Sequence, residues 1–273
     1  MTREGHDVTI FDINDSPYLI SNQRMIKGNI LDYSLVDKVV GDNDIVYNFA
    51  ALADIDESHN KPFETIERNI LGNSVILDAC MNHKIKRYIF ASTIYVYSDT
   101  GSFYRISKRA SEMIIKNYHK EYNLPYTILR YGSLYGLRSQ TNNFIYKTLK
   151  DALENKKIIR EGDGEEIREY IHVKDASVLS VDILDKKYEN KTINITGNEA
   201  IKIKELFDII KEILDLDLKI KYIETKSSHH YGITPYKLSS FMPELGKKLT
   251  SNYTHDFEQG LIEILLHIRE END

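Results

Sequence analysis

Short apolar runs alternate along this chain with longer stretches in which apolar residues recur every three or four positions. A run of four to six apolar residues closed by polar ones reads as a buried parallel strand, and the three-to-four spacing reads as one face of a helix. Strands are predicted at Val8-Thr9-Ile10-Phe11, at Met25 to Ile30, at Asp44 to Phe49, at Tyr88-Ile89-Phe90-Ala91 and at Tyr126 to Arg130. Helices are predicted between them, over Asp32–Val40, Pro62–Asn82 and Tyr104–Glu121. In the second of these, Ile66, Ile70, Val75, Ile76 and Ala79 form a buried stripe, interrupted by the amide of Asn69, which is expected to reach the end of the strand at Tyr88–Ala91. Strand–helix alternation at this period predicts an α/β fold with a doubly wound parallel sheet.

Beyond Tyr131 the regularity loosens. Helices are predicted over Asn142–Glu154, Lys174–Asp185, Lys202–Leu214 and His255–Arg269. Short strands are predicted over Lys157–Arg160, Glu169–Val173, Thr192–Ile195 and Leu218–Ile223, with a turn at Gly162-Asp163-Gly164. This predicts a smaller α/β lobe interleaved with the first. Residues 1–132 and 170–196 are expected to build the sheet domain, and 133–169 with 197–273 the lobe.

Composition narrows the class of partner. The 273 residues are 41% hydrophobic and 29% charged, with a net charge of −6, which fits a globular protein and gives no support for nucleic-acid or anionic-membrane binding. No run approaches the ~18 apolar residues of a membrane span, and the first residues have no signal-peptide character, so a cytoplasmic location is expected. The one cysteine, Cys80, lies in an apolar helical pattern and is expected to be a packed core thiol. The nine histidines lack metal-ligand spacing, no metal is expected, and the pair His229-His230 is expected on a loop or surface.

Chemistry concentrates between Lys86 and Lys108. Ser92 and Thr93 close the run Tyr88–Ala91, and open α/β sheets bind ligands at the carboxyl ends of their strands. Tyr104 follows Thr93 by eleven residues, and Lys108 follows Tyr104 by four. In a helix starting near Phe103 the two share a face. An ammonium beside a phenol favours the phenolate, drawing down a pKa that would otherwise sit near ~10. That makes Tyr104 a candidate general base, with Thr93 placed to bond the same substrate oxygen. The tyrosine–lysine spacing recurs at Tyr146/Lys150, Tyr170/Lys174 and Tyr222/Lys226, but only Tyr104/Lys108 follows a strand ending in Ser-Thr. Two further features belong with it. Asp12 closes the first strand, as an acidic residue that binds a ribose does. Ala50-Ala51 after the Asp44–Phe49 strand either let a flat ligand lie against the backbone or simply pack closely.

Val8–Asp12, Gly28-Asn29-Ile30, Asn48–Ala51, Asn69, Ser92–Tyr97, Tyr104–Lys108, Arg130–Gly136, Gly162–Val173 and Asn194 follow the order of motifs in one family. The chain resembles the extended short-chain dehydrogenase/reductases of the NAD-dependent nucleotide-sugar epimerase/dehydratase type, over nearly all its length. The resemblance implies a Rossmann-type sheet, NAD as cofactor and a nucleotide-diphosphate sugar as substrate. It implies that Asp12 binds the adenosine ribose, that Asn29 and Ile30 flank the adenine, and that Phe49, Ala50, Ala51, Asn69, Ser92 and Gly132 line the cofactor. Thr93, Tyr104 and Lys108 become the catalytic set, with Tyr104 and Lys108 also touching the nicotinamide end. Ser133, Asn143, Phe144 and Arg168 become substrate contacts, the guanidinium suiting a diphosphate. A homodimer joined through Pro62–Asn82 and Tyr104–Glu121 is implied as well.

The implied mechanism is transient oxidation to a keto-sugar, and a 4-epimerase is the expected type. Related dehydratases and decarboxylases carry an acidic residue just after the catalytic Thr, where this chain has Ile94 and Tyr95; a dehydratase or reductase remains the alternative. The chain departs from the family in a short Tyr97–Tyr104 segment, in Ser133 for a usual Asn, and in Ser227–Tyr236, which lacks an Arg-rich pattern. Thr2-Arg3-Glu4 reads as a helix tail capped by Gly5, so the first strand and its Gly-rich turn are expected to be missing in front of it. Met1 is then expected to be internal to a longer parent, or the gene a remnant, and a non-catalytic relative unable to hold NAD is the alternative from another class.

Overall fold

The computed structural model describes residues 1–215, 217–224, 229–233, 246–249 and 255–272. Five runs become strands where the apolar pattern places them: β1 Val8–Asp12, β2 Gln23–Lys27, β3 Ile45–Asn48, β4 Arg87–Thr93 and β5 Tyr126–Tyr131. Between them lie α1 Tyr33–Gly41, α2 Ile55–Asn60, α3 Pro62–Ile66, α4 Gly72–Asn82 and α5 Ser102–Tyr122. Asp32 caps α1 by accepting from the Leu35 N–H at 3.1 Å, and Asp54 caps α2 by accepting from Glu57 at 2.8 Å. The second strand stops at Lys27, three residues before the expected end. The Asn29 side chain there accepts from the Leu31 N–H instead, turning the chain toward α1.

The lobe is built from β6 Ser133–Tyr135, α6 Phe144–Asn155, β7 Lys157–Glu161 and β8 Ile167–His172. After α7 Val173–Asp182 and β9 Lys191–Ile195 come β10 Ala200–Lys202, α8 Ile203–Leu214, β11 Lys219–Ile223, β12 Lys247–Leu249 and α9 Phe257–Asn272. The expected turn at Gly162–Gly164 holds both glycines at positive φ, 96° and 76°, where a side chain is strained.

Strands β3, β4, β5, β9 and β12 form one parallel sheet in the order β12-β9-β5-β4-β3. Alternation along β4 serves both faces at once: Tyr88 and Phe90 enter a core with Val36, Val40, Leu77, Cys80 and Ile128, while Ile89 joins Leu129, Leu179, Ile193 and Ile195 behind it. Burial on two faces is why β4 and β5 are near-continuous apolar runs. Cys80 is packed core, as expected, and burial pushes its thiol up.

β1 pairs in parallel with β2 in a separate two-stranded sheet, and among the described residues no strand joins β1 to β3. The two sheets share one core even so, because Phe11, Ile30 and Val46 pack on the same helices. The lobe carries β6-β8-β10 and the parallel pair β7–β11, over a core of α6, α8 and α9 side chains such as Leu149, Phe207 and Leu261.

Candidate active site

Thr93 ends β4 at the carboxyl edge of the sheet, buried, with its Oγ1 accepting from the Tyr95 N–H at 3.3 Å. That contact opens a 3-10 turn, Ile94–Tyr97, and a left-handed Gly101 (φ +103°) then starts α5. Tyr104, Lys108 and Glu112 follow one another at four-residue steps on the helix face turned to β4. The Tyr104 phenol lies by the Thr93 side chain, which acts to lower its pKa. Lys108 is only 3% exposed; its Nζ donates to the Ala91 carbonyl at 2.7 Å and lies 5.9 Å from the centre of the Tyr104 ring. The structure thus brings together the three residues read from the sequence as catalytic.

Their electrostatics correct one expectation. Burial pushes the Tyr104 phenol up to about 12, with only the Thr93 side chain pulling it down. Burial also brings Lys108 down to about 7, against the opposing charge of Glu112. Taking a phenolate out of water here costs more than the neighbouring lysine returns.

Four residues that the sequence reading missed brace this set. Glu112 accepts from Ser92 Oγ at 2.6 Å, and from Arg130 Nε and Nη2 at 2.9 and 2.5 Å. Arg130 Nη1 also donates to the Tyr97 hydroxyl at 2.7 Å. Ser107 joins α5 to Asn69, whose amide donates to Ser107 Oγ at 2.9 Å and to the Leu52 carbonyl at 3.0 Å. Contrary to expectation, Asn69 therefore does not reach the end of β4; a π turn at Glu67–Leu71, within the predicted Pro62–Asn82 helix, aims it at Leu52 and α5. The available signals were Glu112 eight residues after Tyr104, and Arg130 at the end of an apolar run, where a buried guanidinium needs a partner.

The expected cofactor residues lie along the carboxyl ends of the strands. Asp12 is exposed and uses one carboxylate oxygen on the Asn14 N–H. The Phe49 ring is 57% exposed and stacks at 6.0 Å on Tyr47. The Ala50 N–H donates to Asn48 and the Leu52 N–H to Asn69, which fixes the Ala50-Ala51 turn. Ile30 packs under α4, and Ser92 turns its hydroxyl to Glu112. Gly132 is a point of close approach: a Cβ there would sit 3.1 Å from the Glu169 carbonyl. An exposed ring, two small residues, an exposed acid and a buried lysine along one edge suit the ribose and ring portions of a dinucleotide. No helix starts between β1 and β2, so no helix N-terminus for the diphosphate lies in that connection.

The expected substrate residues lie on elements of the lobe. Asn143 caps α6, accepting from the Tyr146 N–H at 3.2 Å, and its amide donates to the Leu134 carbonyl. Phe144 lies under the Arg160 guanidinium at 5.1 Å. Arg168 donates to the Ile167 carbonyl and stacks at 4.2 Å on Tyr231, whose hydroxyl is bonded to Ser133. His230 Nδ1 lies 2.8 Å from the Tyr95 hydroxyl, and His229 stacks at 4.0 Å on His59, so the histidine pair does sit outside regular structure. Part of the expected Ser227–Tyr236 departure lies outside the described residues.

A two-sided parallel sheet with a hydroxyl–tyrosine–lysine set at its carboxyl edge defines a dinucleotide-fold protein with acid–base groups at the binding edge. The profile of the "NAD dependent epimerase/dehydratase family" matches residues 1–196. Over 304 aligned residues the chain is 29% identical to the UDP-N-acetyl-alpha-D-glucosaminuronate decarboxylase of Bacillus cytotoxicus, covering 100% of this chain and 94% of that one. It is 30% identical over 223 residues to the dTDP-D-glucose 4,6-dehydratase of Dictyostelium discoideum, covering 72% of this chain but 51% of that protein. The solved UDP-N-acetylglucosamine 4-epimerase of Methanobrevibacter ruminantium superposes with a TM-score of 0.82 at 26% identity, covering 97% of this chain and 91% of that one. The chain belongs to the NAD-dependent epimerase/dehydratase family, and its cofactor is NAD.

Proposed function

We propose that this chain is a nucleotide-sugar 4-epimerase acting by transient oxidation to a keto-sugar. The observation that carries the reading is the pair of residues directly after Thr93. Ile94 is buried in a small cluster with Val96, Tyr97 and Tyr231, and Tyr95 bonds His230. Neither position offers a carboxylate beside the catalytic hydroxyl to serve an elimination.

In this reading Tyr104 takes the proton of a sugar hydroxyl while Thr93 holds the same oxygen. Bound NAD supplies the hydride acceptor and donor, and its oxidised ring adds the positive charge that brings the Tyr104 phenol down. Lys108 holds the nicotinamide ribose, Asp12 the adenosine ribose, and Asn29, Ile30, Phe49, Ala50, Ala51, Asn69, Ser92 and Gly132 surround the cofactor. Arg168, Asn143 and Phe144 hold the nucleotide diphosphate, and Ser133 is a further substrate contact. The relatives named above carry UDP- or dTDP-sugars in their names, which supports that substrate class. Residues 1–132 with 170–196 form the cofactor domain, and 133–169 with 197–273 the substrate lobe. No helix of the described residues is long and apolar enough to cross a membrane, and the proposed location is the cytoplasm.

The test is proton NMR of UDP-hexoses incubated with the chain and NAD in D₂O. Inversion at the sugar C4 with no solvent deuterium in the product is expected. Loss of water, with deuterium at C5 beside a C4 carbonyl that the product keeps, would favour the dehydratase reading that the dehydratase relative supports. Absence of NAD binding in a calorimetric titration would mark the chain as a non-catalytic relative.

The proposed homodimer has a face to use. Phe63 (77% exposed), Leu71, Ile106 and Met113 (72% exposed) crowd the outside of α3, the π turn and α5. The double substitution Phe63→Glu/Met113→Glu is expected to halve the mass in sedimentation equilibrium. A wild-type monomer would refute the dimer.

A further inference from the structure

The catalytic helix carries a third group on the same face as Tyr104 and Lys108, and it is charged and buried. Glu112 lies one turn beyond Lys108, and its two carboxylate oxygens take three donors from two other elements. Ser92 Oγ, on the residue before Thr93, donates at 2.6 Å; Arg130 on β5 donates twice, at 2.9 and 2.5 Å. Arg130 is fixed in turn by the Tyr97 hydroxyl, and that hydroxyl also bonds Asn194 at 3.0 Å and receives the Gly246 N–H at 2.8 Å. A carboxylate is thus clamped between the strand end that carries Thr93 and the helix that carries Tyr104.

We propose that Glu112 is a positioning residue for the Tyr104–Lys108 pair, locking strand end to helix through Ser92 and Arg130 and supplying the negative charge that favours the ammonium form of Lys108 in a dry site. The proposal rests on Tyr104 and Lys108 being the reacting pair.

The surroundings of Lys108 leave Glu112 as its one anionic neighbour among the described groups. From α5 it faces the neutral phenol of Tyr104 and the Glu112 carboxylate. From β4 it meets the Phe90 ring at 4.7 Å and the Ala91 carbonyl at 2.7 Å. On β5 the Arg130 guanidinium is paired with Glu112 and bonds the Tyr97 hydroxyl of the 3-10 turn. Arg109 also feels the Glu112 charge, from the outer side of α5. Burial draws Lys108 down and the Glu112 carboxylate opposes it. Removing that carboxylate lowers the lysine further and discharges it at neutral pH. A neutral lysine cannot help stabilise a phenolate.

The sign separates this role from a bracing role. A merely loosened site admits water, and Lys108 then titrates upward, toward the 10.5 of an ordinary lysine. Loss of the Glu112 charge moves it downward.

The experiment is a pH titration of the full chain labelled with ¹³C-lysine, following the Lys108 side-chain resonance, assigned by its disappearance in Lys108→Met. The wild-type midpoint is expected near 7. Glu112→Gln is expected to lower it by at least one pH unit, a tenfold change in the proton affinity of the amine. Glu112→Gln/Arg130→Met, which leaves neither partner charged, provides a second reading should the single variant not fold; a downward but smaller shift is expected there, because the opposing Arg130 charge leaves with the carboxylate. A midpoint unchanged or raised in either folded variant would overturn the proposal. The titration needs neither NAD nor substrate, so a chain that fails to turn over sugars still gives the answer. Where turnover is measured, the acid limb of the wild-type pH–rate profile is expected to change shape in Glu112→Gln, beyond a uniform drop in rate.

Discussion

Replacing Tyr104 by Phe is expected to lower epimerase turnover by about 10²–10⁴-fold, the range of a lost general acid–base group, while the folded state survives. The phenol oxygen lies by the Thr93 side chain, and the ring fills its place equally well without the oxygen. Removing that hydroxyl changes stability by about 1 kcal/mol or less, so a urea midpoint near that of wild type is the control. The same geometry fixes the pH dependence. Tyr104 must lose its proton to act as base, and burial opposes that loss, so the rate is expected to rise with pH through the pKa of Tyr104 in the loaded complex. Thr93→Val keeps the volume and removes the oxygen-holding hydroxyl; a smaller loss is expected from it. Turnover within tenfold of wild type in Tyr104→Phe would remove the tyrosine from the chemistry and leave Thr93 and Lys108 as binding residues only.

The reach of sequence reasoning followed burial and range. β4 and β5 were legible because both faces of each strand are covered, which forces near-continuous apolar runs. Thr93, Tyr104 and Lys108 were legible because a strand end, a short turn and one helical step relate them within sixteen residues. The three-residue strands β6, β10 and β12 carry too few positions for an alternation to register, and α2, Ile-Asp-Glu-Ser-His-Asn, has no apolar face. The π turn leaves no mark because the helical spacing continues on either side of it. The direction of the Tyr104 shift was not legible either, since spacing places the lysine but not the depth at which both groups are buried. Tyr95–His230 spans 135 residues, and only the folded lobe brings the two together. Glu112–Arg130 is an intermediate case. Each residue is odd in its own segment, a charge in a buried stripe, but the pairing crosses from helix to strand, and no local pattern encodes it.

That pairing carries the largest expected effect on stability. Arg130 is 0% exposed and Glu112 nearly as buried, and the guanidinium meets the carboxylate with two nitrogens. Removing one member leaves the other charged, dehydrated and unmatched, which costs about 3–5 kcal/mol. Arg130→Met is therefore expected to lower the urea unfolding free energy by about that amount, with retained ligand affinity being irrelevant to the measurement. Glu112→Gln is expected to cost a similar amount, since it strands the guanidinium and leaves Ser92 Oγ with a weaker acceptor. Together the two changes are expected to cost far less than their sum, because a buried ion pair exchanged for neutral groups of similar volume is often close to neutral. The coupling in that double-mutant cycle, rather than either single loss, measures the pair. Additive losses would mean that the two side chains act separately, Glu112 through Ser92 and Arg130 through Tyr97, and that the strand carrying Thr93 is not tied to the catalytic helix through their charge. A large coupling would place a charge-balanced clamp directly behind the reacting residues, where its loss disturbs the fold and the proton balance of Lys108 together.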